Sequence, residues 1–137
     1  MTNQPSIVIS SIDAERIENL LETIPAEEFP HQEALENELT RATIIEPQNI
    51  PPTVVTMNST VRVQLGDSGE EKELKLVYPG TFIPGTECVS ILAPVGCALL
   101  GLSEGDKMQW ARPGGGSVQV TVKKVIDQPE RTRFYTL

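Results

Sequence analysis

A chain of 137 residues suits one compact domain with a small appendage, since single domains commonly run to about 100–150 residues. Hydrophobic residues make up 39 % and aromatics 4 %, so the core is aliphatic, and no apolar run approaches the roughly 20 residues of a membrane span. The formal net charge of −8 is unevenly placed: residues 1–56 hold ten acids and two bases, whereas residues 57–137 hold nine of each. An acidic front half repels nucleic-acid phosphates and favours a basic protein surface, although a solvated helical surface carries the same charge equally well. The opening MTNQPSIVISS has neither a basic leader nor an apolar region long enough for a signal peptide, so export is not expected. Cys88 and Cys97, the two cysteines, sit in apolar company, as buried thiols of a reducing compartment do. The expectation is a cytoplasmic monomer without membrane contact.

The helical signal is confined to the front of the chain. After a short β-prone run at Ser6–Ser10, Asp13 is placed to N-cap a helix, with Ile12 and Ile17 as its hydrophobic staple. Ile17, Leu20, Leu21 and Ile24 then follow the i, i+3, i+4, i+7 spacing of one apolar stripe. PAEEFP, residues 25–30, reads as a connection, and a second helix from Pro30 or His31 presents Leu35, Leu39 and Ala42 on one face. Two such helices fold back as an antiparallel pair about 20 Å long at ~1.5 Å rise per residue. Prolines in Glu46–Thr53 end this region as a linker, which gives a helical hairpin over residues 1–48 and a second domain over 49–137.

From Ser59 the apolar period becomes two. Val61, Val63 and Leu65 alternate with polar neighbours, and Leu74, Leu76 and Tyr78 do so again beyond the turn GDSG, which predicts a hairpin. Cys88–Leu92 reads as an apolar strand. Pro94 suits the first turn of a short helix running to about Leu102, and Val118, Val120 and Val122 mark the last strong alternation. The predicted class is therefore α+β, with an antiparallel β domain carrying one short helix.

Catalytic and metal chemistry finds little support in these residues. His31 is the single histidine and no nucleophile motif accompanies it. With two cysteines and that histidine, the chain offers three of the roughly four ligands a structural zinc takes. PGGG at residues 113–116 lacks the lysine of a phosphate-binding loop and reads as a hairpin turn. Lys123, Lys124, Arg131 and Arg133 lack the interleaved aromatics of a nucleic-acid surface. No cofactor is expected.

Four segments in order give the chain a resemblance: DAERIENLLE from Asp13, VVTMNSTV from Val54, LVYPG from Leu76 and LAPVGCALLGLSEGD from Leu92. The later part resembles the C-terminal domain of the bacterial Gre transcript-cleavage factors, which has an FK506-binding-protein-like fold. The whole chain looks closer still to the regulator of nucleoside diphosphate kinase family, which shares that domain behind a shorter helical hairpin. The resemblance implies a regulator that binds bacterial RNA polymerase near its secondary channel, touching DNA only indirectly. It also implies that a Ser-Pro at the start of the short helix belongs to the docking surface. Here the pair is Ala93-Pro94, so the proline carries over and the serine hydroxyl does not; Ser90, Val95 and Gly96 are the neighbouring candidates.

Gre factors bring acids at a long coiled-coil tip to the polymerase's catalytic magnesium, which takes both carboxylates and reach. Glu27 and Glu28 lie in the tip connection, but a 20 Å hairpin is short, so channel-mouth binding without cleavage stimulation is expected. Two other readings compete. Fold analogy alone suggests a peptidyl-prolyl isomerase, although the six aromatics are spread over the whole chain. The family name suggests direct contact with nucleoside diphosphate kinase, for which no docking element is visible.

Overall fold

The computed structural model describes residues 6–25, 32–66, 70–81, 86–111 and 115–129. The chain begins with a three-residue strand, β1 (Val8–Ser10), that runs directly into helix α1 (Ser11–Thr23). The helix is capped by Ser10, not Asp13: Ser10 is extended and its hydroxyl accepts the Asp13 N–H at 3.1 Å. Asp13 thus stands at the third helical position, where a carboxylate still meets the favourable end of the helix dipole. The apolar stripe forms as its spacing requires, with Ile17 and Leu21 buried and Leu20 and Ile24 partly buried against the core.

Helix α2 (Gln32–Arg41) buries Leu35 and Leu39, and Ala42 packs just beyond its end. At about 1.5 Å per residue α1 is roughly 20 Å long and α2 roughly 15 Å. Gln32 Nε2 donates to the Leu21 carbonyl at 3.4 Å, joining the two helices. Strand β2 (Thr43–Ile45) follows and pairs with β1 in parallel, Ile9 opposite Ile44. The helical pair is therefore closed at its base by a small sheet. The expected linker is packed rather than loose: it contains a 3₁₀ turn at Pro47–Asn49, and both Pro47 and Ile50 are buried.

The rest of the chain forms a five-stranded sheet in the order β5-β4-β3-β7-β6. The hairpin of β3 (Thr60–Leu65) and β4 (Glu71–Val77) pairs antiparallel, with Val61 and Val63 facing the core and Arg62 reaching Glu73 across the strands at 3.0 Å. Strand β5 (Cys88–Ser90) is shorter than its apolar run and lies parallel to β4, so the sheet is not wholly antiparallel as expected. Helix α3 (Pro94–Leu99) crosses back toward β6 (Lys107–Ala111). The long β7 (Ser117–Asp127) then pairs with both β6 and β3. Irregular register between β7 and β3 near Val61 and Val63 bends this strand and lets it serve both neighbours.

One hydrophobic cluster runs from Ile7, Ile9, Ile17 and Leu35 of the helical unit through Met57, Leu76 and Leu99 to Val120 and Trp110 of the sheet. Each such side chain contributes about 1.5–3 kcal/mol when fully buried. The helical unit meets the sheet domain closely at Gly101. It has φ +82°, and a β-carbon there would stand 2.8 Å from Ile7 Cβ; its carbonyl accepts the Val8 N–H at 3.2 Å. Only glycine combines that conformation with that proximity. Cys97 is buried as expected, whereas Cys88 is half-exposed; both are free thiols.

Candidate functional site

The turn from β5 into α3 gathers five of the residues singled out in the sequence. Ser90 ends β5, and its hydroxyl accepts the Leu92 N–H at 3.1 Å while its carbonyl accepts the Ala93 N–H at 3.0 Å. The Ile91 N–H donates to the Val77 carbonyl at 2.9 Å, which pins the turn to β4. Ala93 is the N-cap, extended at φ −81°, ψ 151°, without a side-chain hydrogen bond to the helix. Pro94 occupies the first turn, where its fixed φ suits a helix start.

Gly96 is buried, and a β-carbon on it would collide with the Ser90 carbonyl oxygen. Its lack of a side chain lets α3 sit directly on the end of β5. Below, the Cys97 thiol donates to the Ile91 carbonyl at 3.0 Å. Burial first, and then the nearby Glu38 carboxylate, pushes the Cys97 pKa up to about 12, so this thiol stays protonated.

The result is a firmly held corner whose residues Leu92, Ala93, Pro94 and Val95 are apolar and half-buried, Leu92 and Val95 also packing against the core. Leu92 is the member outside the candidates that the resemblance implies. It stands just before the N-cap, with Cys97 four positions into the helix, which is the spacing of a hydrophobic staple and the signal that finds it. Such a corner suits contact with a protein surface; it holds no nucleophile and base in partnership.

Glu27 and Glu28, the expected tip acids, lie outside the described residues, as does His31. On the described helices, Glu15, Glu18 and Glu22 of α1 and Glu33 and Glu36 of α2 are exposed, so much of the front-half charge faces solvent. Glu38 is different: it is buried and paired with Arg41 at 2.7 Å. Among the described residues no three His, Cys, Asp or Glu side chains are grouped to hold a metal ion, and no helix is long and apolar enough to cross a membrane. Trp110 belongs to the core, 5 % exposed.

Residues 50–127 match the family model of the C-terminal region of transcription elongation factors GreA/GreB, and residues 5–45 match that of the Rnk N-terminus. The regulator of nucleoside diphosphate kinase of Escherichia coli is 41 % identical over 135 residues, covering 98 % of this chain and 99 % of that protein. A solved structure from Nitrosomonas europaea, described as a prokaryotic transcription elongation factor GreA/GreB, superposes with a TM-score of 0.71 at 54 % identity, covering 89 % of this chain and 98 % of that one. GreA of Clostridium botulinum is 35 % identical over 83 residues, 61 % of this chain but 52 % of its own length. The sheet with its β5–α3 corner is thus that of a Gre-like regulator, carried behind a short helical unit. Within that class the chain belongs to the regulator of nucleoside diphosphate kinase family.

Proposed function

We propose that this protein is a non-enzymatic transcription regulator that docks on bacterial RNA polymerase near the secondary channel, competing with Gre factors without stimulating transcript cleavage. Residues 49–137 form the FKBP-like docking domain and residues 1–48 the helical hairpin. The carrying observation is the rigid, half-buried apolar corner Leu92–Val95, on a sheet like that of the GreA/GreB relatives. Ser90, Ala93, Pro94, Val95 and Gly96 shape the contact: Ser90 and Gly96 hold the corner, and Ala93, Pro94 and Val95 present it.

The helical hairpin enters the channel mouth. An α1 of 13 residues spans only about 20 Å, a reach too short for tip acids, Glu27 and Glu28 in the sequence, to act at the catalytic magnesium. The kinase in the name of the Escherichia coli relative is, on this reading, a target at the level of transcription and not a bound partner.

Pro94→Glu tests the docking. A glutamate at the first helical position suits the helix dipole, so the fold persists, but its charge enters an apolar contact. Binding to core RNA polymerase is expected to weaken at least about tenfold, equivalent to ~1.4 kcal/mol, while Lys124→Glu on the exposed part of β7 leaves it unchanged. Equal binding by both variants would remove the corner from the interface.

A further inference from the structure

Asp13 is a buried carboxylate that the docking corner does not use. It is 4 % exposed and bridges elements far apart in sequence. Its Oδ2 accepts the N–H of Met57 at 3.2 Å, and its Oδ1 accepts the hydroxyl of Tyr78 at 3.3 Å, a long contact for a hydroxyl donor. Met57 is itself buried, at 1 % exposure, so its N–H relies on this oxygen in place of water. Arg16, one helical turn on, also bonds the Tyr78 hydroxyl. Burial, then the charge of Asp13, raises the Tyr78 pKa well above its ordinary value against the opposing pull of Arg16. Tyr78 therefore keeps its proton and remains a donor.

The position of this contact gives it mechanical meaning. Asp13 sits in the first turn of α1, and its own N–H is held by the Ser10 cap. Met57 leads into β3, and Tyr78 follows β4, the strand that pairs with β5 of the β5–α3 corner. At the other side of the same junction, β1 is fixed by Val8 N–H on the Gly101 carbonyl. A rigid helix pinned at its first turn has its far end determined by that pin: with about 15 Å of helix beyond Asp13, a tilt of roughly 10° moves the end of α1 by about 3 Å.

We propose that Asp13 is a positioning residue that fixes the direction of α1 on the sheet, and so sets where the helical unit stands relative to the Pro94 corner. Its functional meaning rests on the docking reading above. Because the direction of α1 is a property of the free protein, it is tested without polymerase.

Spin labels at Glu22→Cys on α1 and Lys124→Cys on β7, in a Cys88→Ser background that leaves buried Cys97 unlabelled, report the inter-label distance by pulsed electron resonance. The parent gives one narrow distribution. Asp13→Ala is expected to broaden or shift it by several ångströms, with Trp110 fluorescence remaining native. Asp13→Asn, which keeps an amide oxygen for the Met57 N–H, restores the narrow distribution. An unchanged distribution in a folded Asp13→Ala protein overturns the proposal, as does equal broadening in Asp13→Asn. If Asp13→Ala does not fold, Tyr78→Phe, which removes the bond to Asp13 Oδ1, takes its place with the same pair of labels. A broadened or shifted distribution is then expected, and an unchanged one overturns the proposal.

Discussion

Placing alanine at Gly101 measures how closely the helical unit is seated on the sheet. Two costs add at this position. A φ of +82° puts an L-residue in the left-handed region, at about 1–2 kcal/mol. A β-carbon 2.8 Å from Ile7 Cβ and 3.1 Å from the Val8 carbonyl oxygen also overpacks the β1 junction, which costs roughly 1–3 kcal/mol more. Gly105 supplies the control, since it has φ +92° but nothing within 4 Å of an added β-carbon. Gly105→Ala therefore carries the backbone cost alone, about 1–2 kcal/mol. The expected totals are roughly 2–5 kcal/mol for Gly101→Ala against 1–2 for Gly105→Ala, a large difference for a domain stable by about 5–15 kcal/mol. Urea unfolding followed by the fluorescence of the single, buried Trp110 gives both values as midpoint shifts at constant slope. Equal destabilisation by the two substitutions, within about 0.5 kcal/mol, would refute the tight seating of β1 on Gly101.

Four further outcomes follow from the corner and its surroundings. Ala93→Ser supplies the missing cap of α3, and in a backbone already at φ −81° it is expected to stabilise by about 1 kcal/mol, read as a rise in the urea midpoint. Gly96→Ala drives a β-carbon into the Ser90 carbonyl; a loss of about 3 kcal/mol or more is expected in the same assay, and no loss would mean that α3 is not seated on β5. The Cys97 thiol, with its pKa moved from 9.0 to about 12, gives a pH signature. Above pH 9 the unfolded chain loses this proton and the folded one keeps it, so stability is full below pH 9 and falls by up to about 1.4 kcal/mol per pH unit from there toward pH 12. Comparing urea midpoints of the parent and Cys97→Ala across that range checks the slope. With a thiol reagent at pH 8, Cys88 reacts in the folded protein and Cys97 only on unfolding.

Local patterns in the chain reveal most of the elements but not how they join. The stripe Ile17–Leu21, the Leu35–Leu39 pair and the alternation at Val61–Val63 and Val118–Val122 all face the core where their periods place them. Asp13 has the chemistry of an N-cap, yet Ser10 three residues earlier has it too, and only the β1 strand entering at Ser10 decides between them. The parallel pairings β1–β2 and β4–β5 depend on residues separated by whole helices or loops, so no local alternation announces them. Strand β7 continues past Val122 through Lys123 and Lys124 because register shifts against β3 accommodate a break in the two-residue pattern. At the corner, Pro94 advertises itself as a helix start, whereas Leu92 draws its meaning from the N-cap that follows it. Asp13 is the clearest case of all: its two partners lie 44 and 65 residues away.

The central claim is tested most directly by competition on core RNA polymerase. Fluorescently labelled protein is bound to the polymerase at low salt, and unlabelled Gre factor is titrated in while transcript cleavage in a stalled complex is followed in parallel. Full displacement by Gre factor is expected, with inhibition of Gre-stimulated cleavage by this protein and no cleavage stimulated by it alone. Binding that Gre factor leaves untouched, or cleavage stimulated by this protein by itself, would contradict it.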